Sequence, residues 1–597
     1  MAISAPTNAD LPSSILLPGV YFKLNLSGSG AGLNSPSTRL VLIANKTTAG
    51  TAQADVPIQV TSQSDANTFF GAGSDMARMF AATLSQVGPG ACDTYCLPIV
   101  EPSAGTAAIH QIIIAGPATS SGSITATICG YSAATAIANG DTATIIAANL
   151  STAINTLTNL PVTSAASTGT ISLTYRHKGL VGNDLPRSVN IAGATGVTAS
   201  PAQLQVSFTA TGAGTMTVSV GGSTVSYAVG GTDSLATTTT GLTAAINAVG
   251  SFPVTASSPS AGTINLLHVP DRVVHRIVVS NGAVLTQILN VATGPVTGAG
   301  LPVLTNALVN MASQTAFPVW VTSFNDNNGT SSFNGGNASN SLTTIQSHLN
   351  TYGDGYNQKG QVLFFGATES LAVSGGYQSS TGMNSSTSGR YGSQIWQVDA
   401  AQQAHELACR CAATRITQQY MPKNYAGSQL VTKGTVPLLA PHKAVRSSQA
   451  DWNAAMLTYY MTPVALNESA GALYIVRDRT TSSDQDQRTW SWGGIAVIDY
   501  IRADLNVFLS TMFAGKSFRP SGVTPRTPNT VTANSVREAI VERFRQYDSI
   551  DFIDDFDSIA KGIVANPDAI VANRVDVFVP IRIPVPLYQI AGVAALV

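Results

Sequence analysis

The chain has little charge. Lys, Arg, Asp and Glu make up 10% of its 597 residues, against about a quarter in ordinary globular proteins. With 30 basic and 31 acidic residues the formal net charge is -1, so there is no basic field to hold a polyanion, which argues against nucleic acid as a direct partner. Long apolar runs are missing too. The most apolar long segment, residues 575–597, is broken by Asp576, Arg582, Pro580, Pro584 and Pro586, whereas a spanning helix needs about 20 unbroken apolar residues; no membrane insertion is expected. No basic residue precedes the short apolar stretch 15–17, so no secretion signal is expected. The five cysteines, Cys92, Cys96, Cys129, Cys409 and Cys411, are odd in number and irregular in spacing, which excludes a disulfide framework and suits a protein made in the cytosol.

Chemistry-bearing motifs are also missing. Cys92 and Cys96 have the spacing of one helical turn, but no second pair and no histidine stands at zinc spacing. The glycine-rich run 28–32 lacks the full GxGxxG pattern and leads into no helix. Gly515-Lys516-Ser517 resembles the end of a P-loop, yet Ser510 stands where the first glycine is required, and the triplet follows a helix instead of preceding one. His405-Glu406 reads as a solvated helix face, because Cys409 occupies the position of the second zinc-protease histidine. Asp551, Asp554, Asp555 and Asp557 read as a solvated acidic turn without an EF-hand pattern. No GxSxG elbow occurs and the seven histidines are scattered. The expectation is therefore no enzyme, no catalytic residue, no metal and no cofactor.

What the chain does have is small residues, a duplication and a strand-rich end. From about 109 to 283 the composition turns to Thr, Ser, Ala, Gly and Val. Within this region GSITATI at Gly122 matches GTMTVSV at Gly214, Asp141 matches Asp233, Leu150 matches Leu242, Ala153-Ile154-Asn155 matches Ala245-Ile246-Asn247, and Pro161 matches Pro253, all at an offset of 92 residues. One inserted residue then carries Gly169 onto Gly262. A constant offset through turn, strand and helix signals means two copies of one module, each a hairpin, a helix and a return strand.

Around the modules the pattern is α/β. RLVLIA at 39–44 predicts a buried strand, and 65–84 a turn and a helix carrying Met76, Met79, Phe80 and Leu84 on one face. Helix at 304–311, strand at 317–324, helix at 342–352 and strand at 360–365 predict a right-handed crossover and a parallel pair. The strand ends carry Asn325-Asp326-Asn327 and Gly366-Ala367-Thr368, weak candidates for a polar site. Asp399 is expected to cap a helix to about 414, residues 452–461 to form another, and 471–477 to pair with 488–492. The longest helix places Ile495, Ile498, Ile501, Leu505, Leu509 and Met512 on one stripe. Ser535 and Glu538 read as a capping box for a further helix, with Val536, Ile540 and Phe544 inward and Arg537, Arg543 and Arg545 on its exposed face. At the end, Val575, Val577, Val579, Ile581, Ile583 and Val585 alternate with other residues at period two and have no obvious strand partner nearby in sequence. Proline confines this segment to an edge or an arm.

In the order of its parts the chain resembles the contractile-tail sheath proteins of bacteriophages, Mu-like phages above all. The residues that carry the resemblance are Pro18-Gly19-Val20-Tyr21, Thr68-Phe69-Phe70-Gly71, the long helix with Tyr500-Ile501-Arg502, and the terminal arm 575–590. The fold class expected is multidomain α+β and α/β, an α/β sheath core built from N-terminal and C-terminal parts, with inserted, duplicated β-rich domains and extended terminal arms. The expected divisions are 1–38 (arm and first strand), 39–105 (core), 106–198 and 199–297 (repeats), 298–520 (α/β core), 521–573 (helical part) and 574–597 (arm).

The resemblance implies a structural subunit that assembles with itself as a helical homo-oligomer of hexameric rings around an inner tail tube protein. Such a tube is bounded by baseplate and tail terminator proteins, sits in the virion after synthesis in the host cytoplasm, and contracts to drive the tube through the host envelope for DNA delivery. It implies inter-subunit arms at Gly19, Val20, Tyr21 and Phe22 and at Val575, Val577, Val579, Ile581, Ile583 and Val585, and tube-facing Arg537, Arg543 and Arg545. Three alternatives stay open: a β-module surface or receptor-binding virion protein, an α/β enzyme at 317–365 with appended binding modules, and the sheath of a phage-related injection system.

Overall fold

The computed structural model describes residues 38–208, 212–221, 223–282, 287–324, 341–353, 359–372, 374–375, 391–417, 425–433, 436–483, 490–525, 527–569 and 573–585. A nine-stranded sheet organises the core in the order Ile58–Gln59, Asp93–Ile99, Arg39–Asn45, Val319–Thr322, Val362–Ala367, Gly392–Trp396, Met461–Asn467, Ala472–Ile475 and Gln429–Leu430. Its middle strands, from Asp93–Ile99 to Met461–Asn467, run parallel, and short antiparallel pieces finish both edges. Parallel strands are covered on both faces, which is why they read as unbroken apolar runs. Val41, Ile43, Trp320 and Phe365 point into one cluster, while Leu40, Leu42, Val321 and Phe364 point into another. Because Leu40 pairs with Val319, strands from before and after the repeats share this sheet. The repeats are therefore carried as an insertion between Asp93–Ile99 and Val319–Thr322.

Several local expectations are corrected. Residues 65–84 hold two helices, Gln63–Phe70 and Asp75–Val87, because Gly71 and Gly73 at positive φ separate them and Ser62 and Ser74 cap each start. Asp399 does not cap the helix Ala404–Ile416; its N-cap is Gln403, and Asp399 sits in the loop before it at φ 56°. Ala472–Ile475 pairs with Met461–Asn467, and the described part of 488–492 leads into the long helix Trp492–Met512. The capping box is Thr532 with Ser535, three residues earlier than expected, and its helix runs Ala533–Asp548. The order of elements and the parallel pairing are as read: Thr305–Ala312, Val319–Thr322, Ser341–Tyr352 and Val362–Ala367.

The duplication is visible strand for strand. The first module has a four-stranded sheet ordered Thr198–Ser200, Ala107–Ala115, Thr170–Lys178, Val162–Ser167, and the second repeats it as Gln287–Thr293, Ala202–Phe208, Thr263–His268, Val254–Ser260. Three-stranded sheets repeat likewise, Tyr131–Ile137, Gly122–Ile128, Arg187–Ala192 against Ser223–Val229, Gly214–Val220, Ile277–Asn281. Each module places one helix, Ala143–Asn155 or Leu235–Ala248, on its sheets. The last unit packs the long helix, Ala533–Asp548 and Phe556–Gly562 around Ile501, Ile540, Phe544 and Ile559.

Candidate assembly interface

Around the terminal segment the chain builds a packed base and, among the described residues, an unfinished edge. The base is tied by ion pairing: Arg543 donates from Nε and Nη2 to the two oxygens of Asp504, both at 2.6 Å, and the Tyr547 hydroxyl donates to Asp504 at 2.5 Å. Arg543 is 1% exposed and Asp504 is fully enclosed, so the pair locks the long helix to Ala533–Asp548. Removing one member of a buried pair costs about 3–5 kcal/mol because the other is left charged and alone.

This geometry corrects the placement of Arg543 and in part of Arg537, while Arg545 is exposed as expected. Arg543 points inward, since it sits one turn from Tyr547 and Ala539 on the apolar face. Arg537 is half buried and donates to the carbonyls of Ala560 and Ile563, both at 2.9 Å. Arg545 is well exposed beside Glu542.

The unfinished edge is the antiparallel ribbon of Val564–Pro567 and Val575–Phe578, registered Val564 to Phe578 and Pro567 to Val575. The terminal strand thus has a partner a few residues upstream. The short, proline-containing VANP run carries too little pattern to be read as a strand; its Asn566-Pro567-Asp568 turn signal was the available clue. A two-stranded ribbon is marginal by itself. Its side chains are open: Phe578 is 65% exposed, Val564 46% and Val577 39%. Val575 is half buried. Beyond the ribbon the alternating run turns back on its own unit. Val579 and Ile581 pack against the Ile501–Phe544 cluster, Ile583 is buried in it, and Val585 is exposed again. Arg582 pairs with Asp555 at 3.0 Å and its carbonyl accepts from the Asp554 N–H. Gly19, Val20, Tyr21 and Phe22 lie outside the described residues.

The residues weighed for chemistry are mostly structural. His405 and Glu406 are buried, not solvated, and Glu406 holds Arg78 at 2.5 Å. Cys92 and Cys96 flank the start of a strand, not a helix turn, and burial pushes the Cys96 thiol well up. Thr368 donates to Asp184 of the first module at 2.6 Å, while Asn325-Asp326-Asn327 lie outside the described residues. Asp551, Asp554, Asp555 and Asp557 are at the surface, and Asp555 caps Phe556–Gly562. Among the described residues no group of three His, Cys, Asp or Glu side chains is arranged to hold a metal, and no helix is long and apolar enough to cross a membrane.

No family model matches the chain. Over 184 residues it is 30% identical to the Mu-like prophage FluMu tail sheath protein of Haemophilus influenzae, a match covering 30% of this chain and 37% of that relative. Among solved structures it is similar to a sheath tail protein from Desulfitobacterium hafniense, at 10% identity and TM-score 0.40, with 94% of this chain and 99% of that one covered. The corresponding figures for the sheath tail protein Lin1278 from Listeria innocua are 9%, 0.40, 92% and 96%.

Proposed function

We propose that the chain is a structural subunit of a contractile tail sheath of the Mu-like phage type. Copies stack as a helical tube around an inner tail tube and, on contraction, drive that tube through the host envelope so that DNA can follow. The observation that carries this reading is the 30% identity over 184 residues to a Mu-like tail sheath protein. The terminal ribbon supplies a physical means: an open two-stranded edge bearing exposed Phe578, Val577 and Val564 is completed by a strand from a neighbouring copy, which gives each subunit a linked mesh. Low surface charge fits faces covered by copies of the same chain. Arg545 is the remaining candidate for a weak, releasable contact with the inner tube.

The test is negative-stain electron microscopy of the concentrated full-length protein beside the F578D variant. Deleting everything from Arg574 onward is less clean, because it also strips Ile583 from the base. Striated hollow tubes from the parent, and a folded but unassembled F578D, support the sheath and its ribbon. Tubes from both overturn the ribbon's role. Compact closed oligomers or monomers alone favour the β-module surface protein.

A further inference from the structure

The second module is packed as a body of its own. Its apolar cluster, which includes Leu204, Val218, Leu242 and Leu266, contains no residue of the core or of the first module. The first module meets it where Thr198–Ser200 and Ala107–Ala115 lie beside Thr263–His268 and Ala202–Phe208, and a polar junction with both the first module and the core centres on the loop before Ile277–Asn281. There Val274 and Arg187 exchange backbone hydrogen bonds, at 2.6 and 3.2 Å, which pairs this loop with its counterpart in the first module. Ser370 of the core donates its N–H to the Gly221 carbonyl at 3.3 Å. Between them lies His275, 1% exposed. Its Nδ1 is 2.7 Å from Asp184 of the first module, and its Nε2 is 3.7 Å from Asp399 of the core. The second oxygen of Asp184 accepts from Thr368 of the core at 2.6 Å.

We propose that His275 is a proton-dependent clasp that holds the second module against Asp184 of the first module and Asp399 of the core. All three bodies meet at this imidazole, and among the described residues the buried apolar cluster of the second module contains no residue of the other two. The charged and titratable surroundings come from each side. Asp184 and, further off, His110 and Arg187 belong to the first module; Asp399, Glu369 and His442 belong to the core; Arg272 stands in the same loop as His275, near Asp399. Burial opposes charge on His275, but Asp184, Asp399 and Glu369 outweigh it and raise its pKa above the ordinary 6.5. Burial likewise opposes the Asp184 carboxylate, yet His275 and Thr368 hold its pKa below the ordinary 3.8. A group whose pKa is raised on docking contributes below its undocked value and ceases to contribute as pH passes its docked value. The clasp is therefore closed in mild acid and opens on the alkaline side of 6.5.

Arg272 is buried when the clasp is closed, held within its own module by the Ser251 carbonyl and facing Asp399 of the core, and opening uncovers the side that faces the core. The experiment is tryptic cleavage of the full chain after Arg272 between about pH 6 and about pH 9, divided by cleavage of a short arginine peptide at the same pH. The normalised rate is expected to rise with pH, at most about tenfold per pH unit, the slope of one linked proton. H275Q should be cut rapidly at every pH, and D399N should move the rise to lower pH. A flat profile for the parent overturns the clasp, as does an H275Q that folds and resists trypsin in mild acid as the parent does. Should H275Q fail to fold, an unshifted profile in D399N overturns it.

Discussion

The two modules share one topology but are fastened by different means. In the first, Ile112, Leu150, Ile171 and Leu173 belong to the same apolar cluster as Ile43, Leu97 and Trp320 of the core sheet. In the second, the equivalent Leu204, Leu242, Ile264 and Leu266 form a closed cluster of their own. The difference lies in a few junction positions. Tyr175 pairs with Val162 as His268 pairs with Val254, so the two are counterparts, and Leu185 stands two residues before Arg187–Ala192 as His275 stands two before Ile277–Asn281. Leu185 is fully buried in the first module's cluster, whereas His275 is the polar contact of the second. The positions that the two modules share are those that fold each module; the junction positions differ, and with them whether the module shares the core's apolar cluster or is docked outside it.

The largest effects should come from matched cavities. Leu150 and Leu242 are fully buried at equivalent places on their helices, so L150A and L242A should each cost about 2–5 kcal/mol locally. Their reach should differ. By hydrogen exchange, L150A should lower protection in Arg39–Asn45 and Val319–Thr322 as well as in its own module, while L242A should lower protection between 202 and 293 only. Equal spread from both variants would erase the distinction between fused and docked.

How much of this could be read beforehand depended on the range of the signal. The repeat, the parallel pair and the long helix follow from periodicity and a fixed offset, which are local properties, and they stand in the structure. The module attachments were not legible, because Asp184, His275 and Thr368 are far apart in sequence and individually ordinary. The sequence pattern places Arg543 outward for a related reason. Its inward position depends on Asp504, a lone carboxylate on the apolar stripe of another helix. The alternating run reads as strand from Val575 to Val585, whereas only Val575–Phe578 is strand, and its partner is too short and too polar to be recognised.

A middle-sized effect should come from the polar seam under the first module. The Tyr175 hydroxyl donates to Asp75 at 2.5 Å and accepts from Gln403 at 2.8 Å, and the Asp75 N–H donates to His177 at 3.1 Å. Y175F leaves Asp75 and Gln403 short of a buried partner and should cost about 1–3 kcal/mol in denaturant unfolding. The counterpart change H268F should cost little or stabilise, since neither ring nitrogen of His268 has a hydrogen-bond partner among the described residues. If H268F cost as much as Y175F, the second module would have a seam like the first, and the docked description would need revision.

The smallest effects should be equal in both modules. Gly169 and Gly262 occupy the same turn, and both lie at φ +86°. A Cβ on Gly169 would meet the Ile114 carbonyl at 2.9 Å, and one on Gly262 the Val206 carbonyl at 3.1 Å, again the same contact. An L-residue forced into the left-handed region costs about 1–2 kcal/mol. G169A and G262A should therefore destabilise their own modules by amounts within about 0.5 kcal/mol of each other, the scatter expected of independent sites. The turn is internal to each module and touches neither junction, so attachment to the core should not alter its cost. A markedly larger penalty for G169A would mean that the core transmits strain into the first module's turn, and the line between inherited fold and acquired attachment would have to be drawn elsewhere.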